Sequence, residues 1–282
     1  MIVPSTAASR QTDWRADPRT LELLRLVWRG GKYAYFWRLS DKWTNWVDVR
    51  HFAGLLDIFG PKWQQDAFFG VHPCRDFRTA DERGRIEDVS AIACAFADVD
   101  ATDGETVSDL LTRIGKLSYQ PSAVIASGAG LHCYWLLRDP IAVDSEATRR
   151  ELAEFQRAFS RWAGGDRNAS DLARVLRVPG TWSTKRKCWV KWVEFTPDRT
   201  YSYQELRKVV MAQPQQEHDK PASTRVKEGK CAIGGVIRWL AGQRPGNRNC
   251  ATYWAAHRLR EAGVTHQHAQ QILLPITCAL GL

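Results

Sequence analysis

Two aspartates two positions apart, Asp98 and Asp100, close the apolar run CAFADVD. The small and apolar residues before and between them predict a buried strand, and strand side chains alternate between faces, so both carboxylates point the same way. Two carboxylates on one face repel each other and are costly to bury. A divalent cation with oxygen ligands is their most economical counter-charge. About thirty residues on, SGAG separates the runs AVIA and LHCYWLL, which lie too close together for anything but a hairpin. His132, Tyr134 and Leu136 then share one face of its second strand. Gly128 and Gly130 beside Ser127 would bare backbone N–H groups, a small nest suited to phosphate oxygens. Taken singly, each feature also has a plain structural reading: a strand ending in a polar turn, and a glycine turn beside a hydrogen-bonded histidine.

The elements that must position these residues can be read on either side. Asp17-Pro18 starts a helix that stops at Gly30-Gly31, with Leu21, Leu24 and Val27 on its buried face. Tyr33, Tyr35 and Trp37 alternate along a strand, residues 48–60 form a second helix ending at Gly60, and QDAFFGVHP is another strand. A charged loop, RDFRTADERGRIEDV, stays outside the core. Downstream of Asp100 come a short helix, the hairpin, and an amphipathic helix over 144–163 carrying Leu152, Phe155, Phe159 and Trp162 on its apolar side. Ser170 is placed to cap a helical turn that brings Asp171 and Arg174 together at i, i+3. Pro179-Gly180 ends that turn, and KCWVKWVEF runs on as one strand, with Cys188, Val190, Trp192 and Glu194 on one face. Ser202 and Glu205 form a capping box for the next helix.

Composition bounds the partners. The chain has 282 residues, 44% of them hydrophobic, and a net charge of +9, of which +5 falls from Gln213 onward. A basic chain suggests a polyanion partner, and thirteen tryptophans beside Arg and Lys could stack bases, although most must fill core. The seven cysteines are scattered without a CxxC pair, so neither a disulfide framework nor a zinc site is expected. No apolar run approaches the roughly 20 residues of a membrane span, and the N-terminus lacks a signal-peptide centre, so no membrane partner and a cytoplasmic location are expected. Residues 213–229 are polar and aperiodic, a linker between a first domain, 1–212, and a small helical domain, 230–282, whose helices each end at a glycine and whose last helix Pro275 should kink. The chain closes at Gly281-Leu282 with no tail, as a piece of a longer protein would.

Three segments in this order, an apolar strand ending in DxD, an SGxGxHxYW hairpin and DLARVLRVPGTWSTK, resemble the signature motifs of the archaeo-eukaryotic primase superfamily, in its primase-polymerase branch from plasmids, phages and mobile elements. The likeness covers residues 69–187 well and extends to FFGVHP and the GRIEDV loop. It implies an α/β fold: a catalytic domain with an RRM-like palm and an N-terminal α/β lobe, followed by an all-α accessory domain. Carried over residue by residue, Asp98 and Asp100 become metal ligands for Mg²⁺ or Mn²⁺, with Asp171 as the third. Asp166 is the alternative third ligand. Asp171 is preferred because it sits in the run D-x-x-R-x-x-R-x-P-G. Ser127, Gly128, Gly130 and His132 would contact the phosphates of an incoming nucleotide, and Arg174, Arg177 and Lys185 would neutralise triphosphate or template charge. Ser183 departs from the pattern, which often has asparagine there, and that bears on substrate contacts rather than on reaction class. In the helical domain Arg244, Asn247, Arg248 and Arg258 are candidate nucleic-acid contacts.

The expected activity is that of a DNA primase-polymerase, which makes and extends primers on a single-stranded DNA template from NTPs or dNTPs by two-metal nucleotidyl transfer. A helicase, as a further domain or a separate protein, is an expected partner. Two other classes compete: a non-catalytic replication initiator that uses the same fold to bind DNA, and a metal-dependent nuclease. A pure DNA binder gains nothing from acids facing DNA phosphate. A nuclease has no need of a glycine hairpin and basic segment suited to a triphosphate.

Overall fold

Asp17 and Pro18 begin the first helix as their order predicts. The Asp17 carboxylate accepts from the Arg19 N–H at 2.9 Å, and Pro18 sits where its missing N–H costs nothing. The computed structural model describes residues 13–55, 59–102, 104–211, 236–237, 240–241, 248–261 and 264–279, within two compact units, Met1–Pro214 and Gln215–Leu282. Helix α1 (Pro18–Val27) buries Thr20, Leu23, Leu24 and Val27. That i, i+3, i+4, i+7 stripe follows the helical period, so Leu21 lies at its margin rather than at its centre. β1 (Tyr33–Arg38) and β2 (Thr44–Asp48) form an antiparallel hairpin, α2 (Phe52–Leu55) is a single turn, and β3 (Ala67–Gly70) returns beside β1. The longer helix expected to end at Gly60 is seen only as α2; residues 56–58 lie outside the described residues, and Gly60 instead precedes a 3₁₀ turn at Pro61–Gln64.

Next come β4 (Ala91–Asp100), α3 (Val107–Ile114), β5 (Ala123–Ala126), β6 (Gly130–Ala142) and α4 (Glu146–Trp162), the strand–helix–strand–strand–helix succession read from the sequence. β7 (Val175–Arg177) leaves to join the first sheet, giving the order β2-β1-β3-β7, and β8 (Trp182–Ser183) pairs with β9 (Cys188–Trp189) as a separate small hairpin. In the second sheet β6 lies between β4 and β5, β10 (Lys191–Phe195) flanks β5, and β11 (Thr200–Tyr201) runs parallel to the middle of β6. α5 (Tyr203–Met211) opens on the Ser202–Glu205 capping box. The single strand expected over 188–195 is two strands. The Val190 N–H turns to the Thr181 carbonyl between them, and a register shift between Trp192 and Glu194 lets both Trp192 and Phe195 pack on the core.

Alternation along β4 divides the interior. Cys94 and Phe96 join Tyr134, Leu136 and Ile125 in an aromatic core shared with α1 and the first sheet, filled by Trp14, Trp28, Phe36, Phe59 and Phe69. Ala95, Ala97 and Val99 face the other way, with Trp135 and Leu137, against Leu110 of α3, Leu152 and Phe159 of α4, and Leu206 of α5. In the second unit α6 (Arg248–Glu261) and α7 (His266–Ala279) pack through Ala255, Leu259 and Leu273, and α7 runs on through Pro275. The expected linker and the glycine helix ends lie outside the described residues. Among the described residues no helix is long and apolar enough to cross a membrane.

Among the described residues β4 pairs with a strand on one side only, yet it is buried, so its other edge needs partners. The Gln156 side chain of α4 supplies them. Its amide accepts from the Phe96 N–H at 3.3 Å and donates to the Phe96 carbonyl at 2.8 Å, in effect standing in for one residue of a missing strand. Gln156→Leu leaves both groups buried and unpaired. Denaturant unfolding should show a loss of about 2–6 kcal/mol, at roughly 1–3 for each of the two orphaned groups. A loss under about 0.5 kcal/mol would mean that the edge is satisfied some other way.

Candidate active site

The β4–β6 register sets Asp98 opposite His132 and Asp100 opposite Gly130, at the end of β4 where the aromatic core opens to solvent. β7 and the β8–β9 hairpin close the other side. Between them is a cavity of about 150 Å³ lined by Asp98, Asp100, Ser127 and His132 together with Phe68, Arg177, Lys185 and Arg186. Burial pushes the Asp98 carboxyl up to about 6; Asp166 adds to the rise, and Arg174 and Arg177 oppose it. Asp100 is raised by burial and by its neighbours Asp98 and Asp166, against Arg186 and His132. His132 places Nε2 3.6 Å from Asp98 Oδ1. Burial, followed by the Arg177 charge, holds its imidazole down at about 3, so it is neutral at physiological pH, and its Nδ1 has no hydrogen-bond partner among the described residues.

The glycines of the hairpin serve close packing. A Cβ on Gly130 would collide with the Val99 carbonyl and come within 2.9 Å of Asp100 Cα, so glycine is what lets β6 approach β4 beside the acids. Gly128, at φ +101°, makes room for Arg186 and Cys188 of the basic hairpin. Ser127 Oγ donates to the Gly130 carbonyl at 3.2 Å and still lines the cavity.

The two candidates for a third acid are placed differently. The Asp166 N–H donates to the Asp98 carbonyl at 2.7 Å, after a Gly164-Gly165 turn in which a Cβ on Gly165 would press within 3.2 Å of that same oxygen. Its carboxylate accepts from the Asn168 N–H and starts a 3₁₀ turn, the capping role expected of Ser170, whose hydroxyl instead donates to the Arg167 carbonyl. Asp171 and Arg174 do meet, at 2.6 Å, in a turn rather than a helix, and neither Asp166 nor Asp171 lines the cavity. Arg177 donates to Asp66 at 2.8 Å and lies over the Phe68 ring at 4.7 Å.

Sequence reasoning missed three residues here: Asp66, Phe68 and Arg186. Asp66 is buried, and burial alone would raise its carboxyl, but bonds from Thr184 and Arg177 more than offset that and leave it below the ordinary range. A lone acid at the mouth of the apolar run AFFG was the only available signal. In the second unit Arg258 is exposed over the Trp254 ring; Arg244, Asn247 and the Arg248 side chain lie outside the described residues.

Among the described residues no three His, Cys, Asp or Glu side chains gather into a metal cage. A magnesium-type ion needs none, because it takes one or two carboxylates together with water and substrate phosphate. Asp98 and Asp100 fit that donor set: both are raised by burial and like charge, and neither has a Lys or Arg salt bridge among the described residues.

A folded-state value near 6 against an ordinary 3.8 means that the fold favours the protonated Asp98. Its stability contribution is therefore best below about pH 4 and falls by on the order of 2–3 kcal/mol as pH rises to about 6 and above. Without divalent ions, Asp98→Asn should melt above the parent protein at pH 8 and converge with it near pH 4. Mn²⁺ or Mg²⁺ should narrow the gap by stabilising the parent alone. Parallel melting curves at every pH would refute this.

No protein-family model matches the chain. A curated protein of Clostridium perfringens named Replication protein is 30% identical over 123 residues, 41% of this chain and 27% of the relative, so the match spans about a quarter of that protein's length. Among solved structures, the primase-polymerase domain of cyanophage S-2L is similar at 17% identity over 63% of this chain and 87% of that one, with a TM-score of 0.42. The catalytic domain of the primase RepB′, solved in complex with initiator DNA, is similar at 16% identity over 71% of this chain and 100% of that one, with a TM-score of 0.44.

Proposed function

We propose that the chain is the primase-polymerase part of a replication protein, a nucleotidyltransferase that builds primers on a single-stranded DNA template from nucleoside triphosphates. The supporting observation is convergence. Segments far apart in sequence, Asp98 with Asp100, Ser127 with His132, and Arg177 with Lys185, meet around one cavity that acidic and basic side chains line together.

Asp98 and Asp100 would hold Mg²⁺ or Mn²⁺, which when bound neutralises triphosphate charge and favours ionisation of the attacking hydroxyl. Lys185, Arg186 and Arg177 take up charge on the β- and γ-phosphates, while the 3′-hydroxyl oxygen bonds to the α-phosphorus and pyrophosphate leaves in line. Neutral His132, 3.6 Å from Asp98, can bond a phosphate oxygen without competing as a cation for the carboxylates. As third acid we take Asp166 over Asp171, because Asp166 raises both site carboxyls and Asp171 is committed to Arg174.

The test is incubation with a single-stranded template, Mg²⁺ or Mn²⁺ and labelled nucleotides. Template-dependent products that vanish in Asp98→Ala are expected; a shortened template would indicate a nuclease, and bound but unchanged DNA an initiator. Asp166→Ala should lose on the order of 100-fold in rate and Asp171→Ala clearly less. The reverse order would restore Asp171 as the ligand. Removing residues 230–282, the basic helical part, should impair primer initiation more than extension of a preformed primer, and equal loss of both would reject a role in initiation.

A further inference from the structure

The wall of the cavity continues outward as a row of rings. Trp37 of β1 pairs with Phe68 of β3, and Phe68 pairs with Arg177 of β7, so the three side chains share the outer face of the first sheet. The Arg177 guanidinium lies 4.7 Å from the Phe68 ring, the Trp37 and Phe68 rings are 5.4 Å apart, and the Arg83 guanidinium lies 4.7 Å from the Trp37 ring. Phe36 and Phe69, their strand neighbours, are completely buried in the core, whereas Trp37 and Phe68 remain partly exposed. The core is thus filled without these two rings. At two strand spacings, Trp37 stands roughly 10 Å from Arg177 and the cavity.

A cavity of about 150 Å³ is smaller than a whole nucleoside triphosphate, so part of any nucleotide or strand bound there must extend outside it. What lies outside, on this side, is an alternation of guanidinium and ring. Unpaired bases stack on aromatic faces and guanidinium planes alike, and the same cations meet the backbone phosphates between bases.

We propose that Trp37 and Phe68, flanked by Arg83 and Arg177, form a stacking platform for unpaired bases of the single strand being copied, just outside the cavity. It rests on the proposed polymerase function and adds the place where the strand is held.

The test uses the full chain and two variants, Trp37→Ala and Trp37→Leu, the latter keeping apolar bulk without a π face should alanine fail to fold. Anisotropy titrations of a labelled oligothymidylate, of the same strand with abasic sites, and of a labelled nucleoside triphosphate with Mn²⁺ are compared. Both variants should bind the base-bearing strand about 5- to 100-fold more weakly, the cost of removing a stacked base's platform. They should bind the abasic strand as the parent does, and hold the triphosphate unchanged. Unaltered strand binding, or an equal loss for the abasic strand, overturns the platform. A loss confined to the triphosphate assigns the stacked base to the nucleotide and overturns the strand assignment. If base-dependent strand binding needs Trp37 but no templated product forms, the polymerase function fails and the platform stands.

Discussion

Two carboxylates held on one face of a buried strand set the terms for everything around them. Asp98 and Asp100 raise each other's free energy, and burial raises it further, so the metal-free site is a point of local instability that the fold must hold in place. The holding is done by backbone. Strand β6 fixes one edge of β4 through a register that depends on Gly130, and Gln156 and the Asp166 N–H fix the other, at Phe96 and Asp98. With both edges bonded, the acids cannot separate by twisting the strand, and on the proposed function a bound cation would relieve their repulsion.

The two cores share the work unequally. The helix side of the second sheet is lined at β4 by Ala95, Ala97 and Val99, small enough for α4 to lie close and for Gln156 to reach the strand. The opposite side is built of Trp and Phe, which hold the first sheet against the second and so bring Phe68 and Arg177 to the acids. Trp14, Trp28 and Trp63, among the tryptophans that hinted at base stacking, belong to this packing. Trp37 differs because it lies on the outer face of the same sheet.

Local pattern made much of this legible. Alternation in CAFADVD placed both acids on one face, the spacing around SGAG gave a hairpin, and the apolar stripe of 144–163 gave α4 with its buried Leu152, Phe155 and Phe159. Alternation names faces but not partners, so nothing in AFFG or VLR showed that β3 and β7 pair across more than a hundred residues. The choice between the two candidates for a third acid was open for a related reason. Asp166 is tied to Asp98 through its backbone N–H, which leaves no mark on residue type, whereas Asp171 stands in a conspicuous charged run. Over 188–195 a clean alternation concealed a change of sheet at Val190 and a shift in register beyond Trp192, because both are settled by tertiary packing.

The arginines explain why the acids remain available. Arg174 and Arg177 both act on Asp98 electrostatically, and a direct salt bridge from either would quench it and occupy the place of a cation. Each is held by another acid: Arg174 by Asp171 at 2.6 Å, and Arg177 by buried Asp66 at 2.8 Å, which also takes the Thr184 hydroxyl at the start of the basic hairpin. Asp66 and Asp171 thereby hold positive charge near the acids but too well anchored to collapse onto Asp98. Acidic and basic side chains line the same cavity, and on the proposed function a divalent ion together with the triphosphate it accompanies would supply the charges that each set lacks.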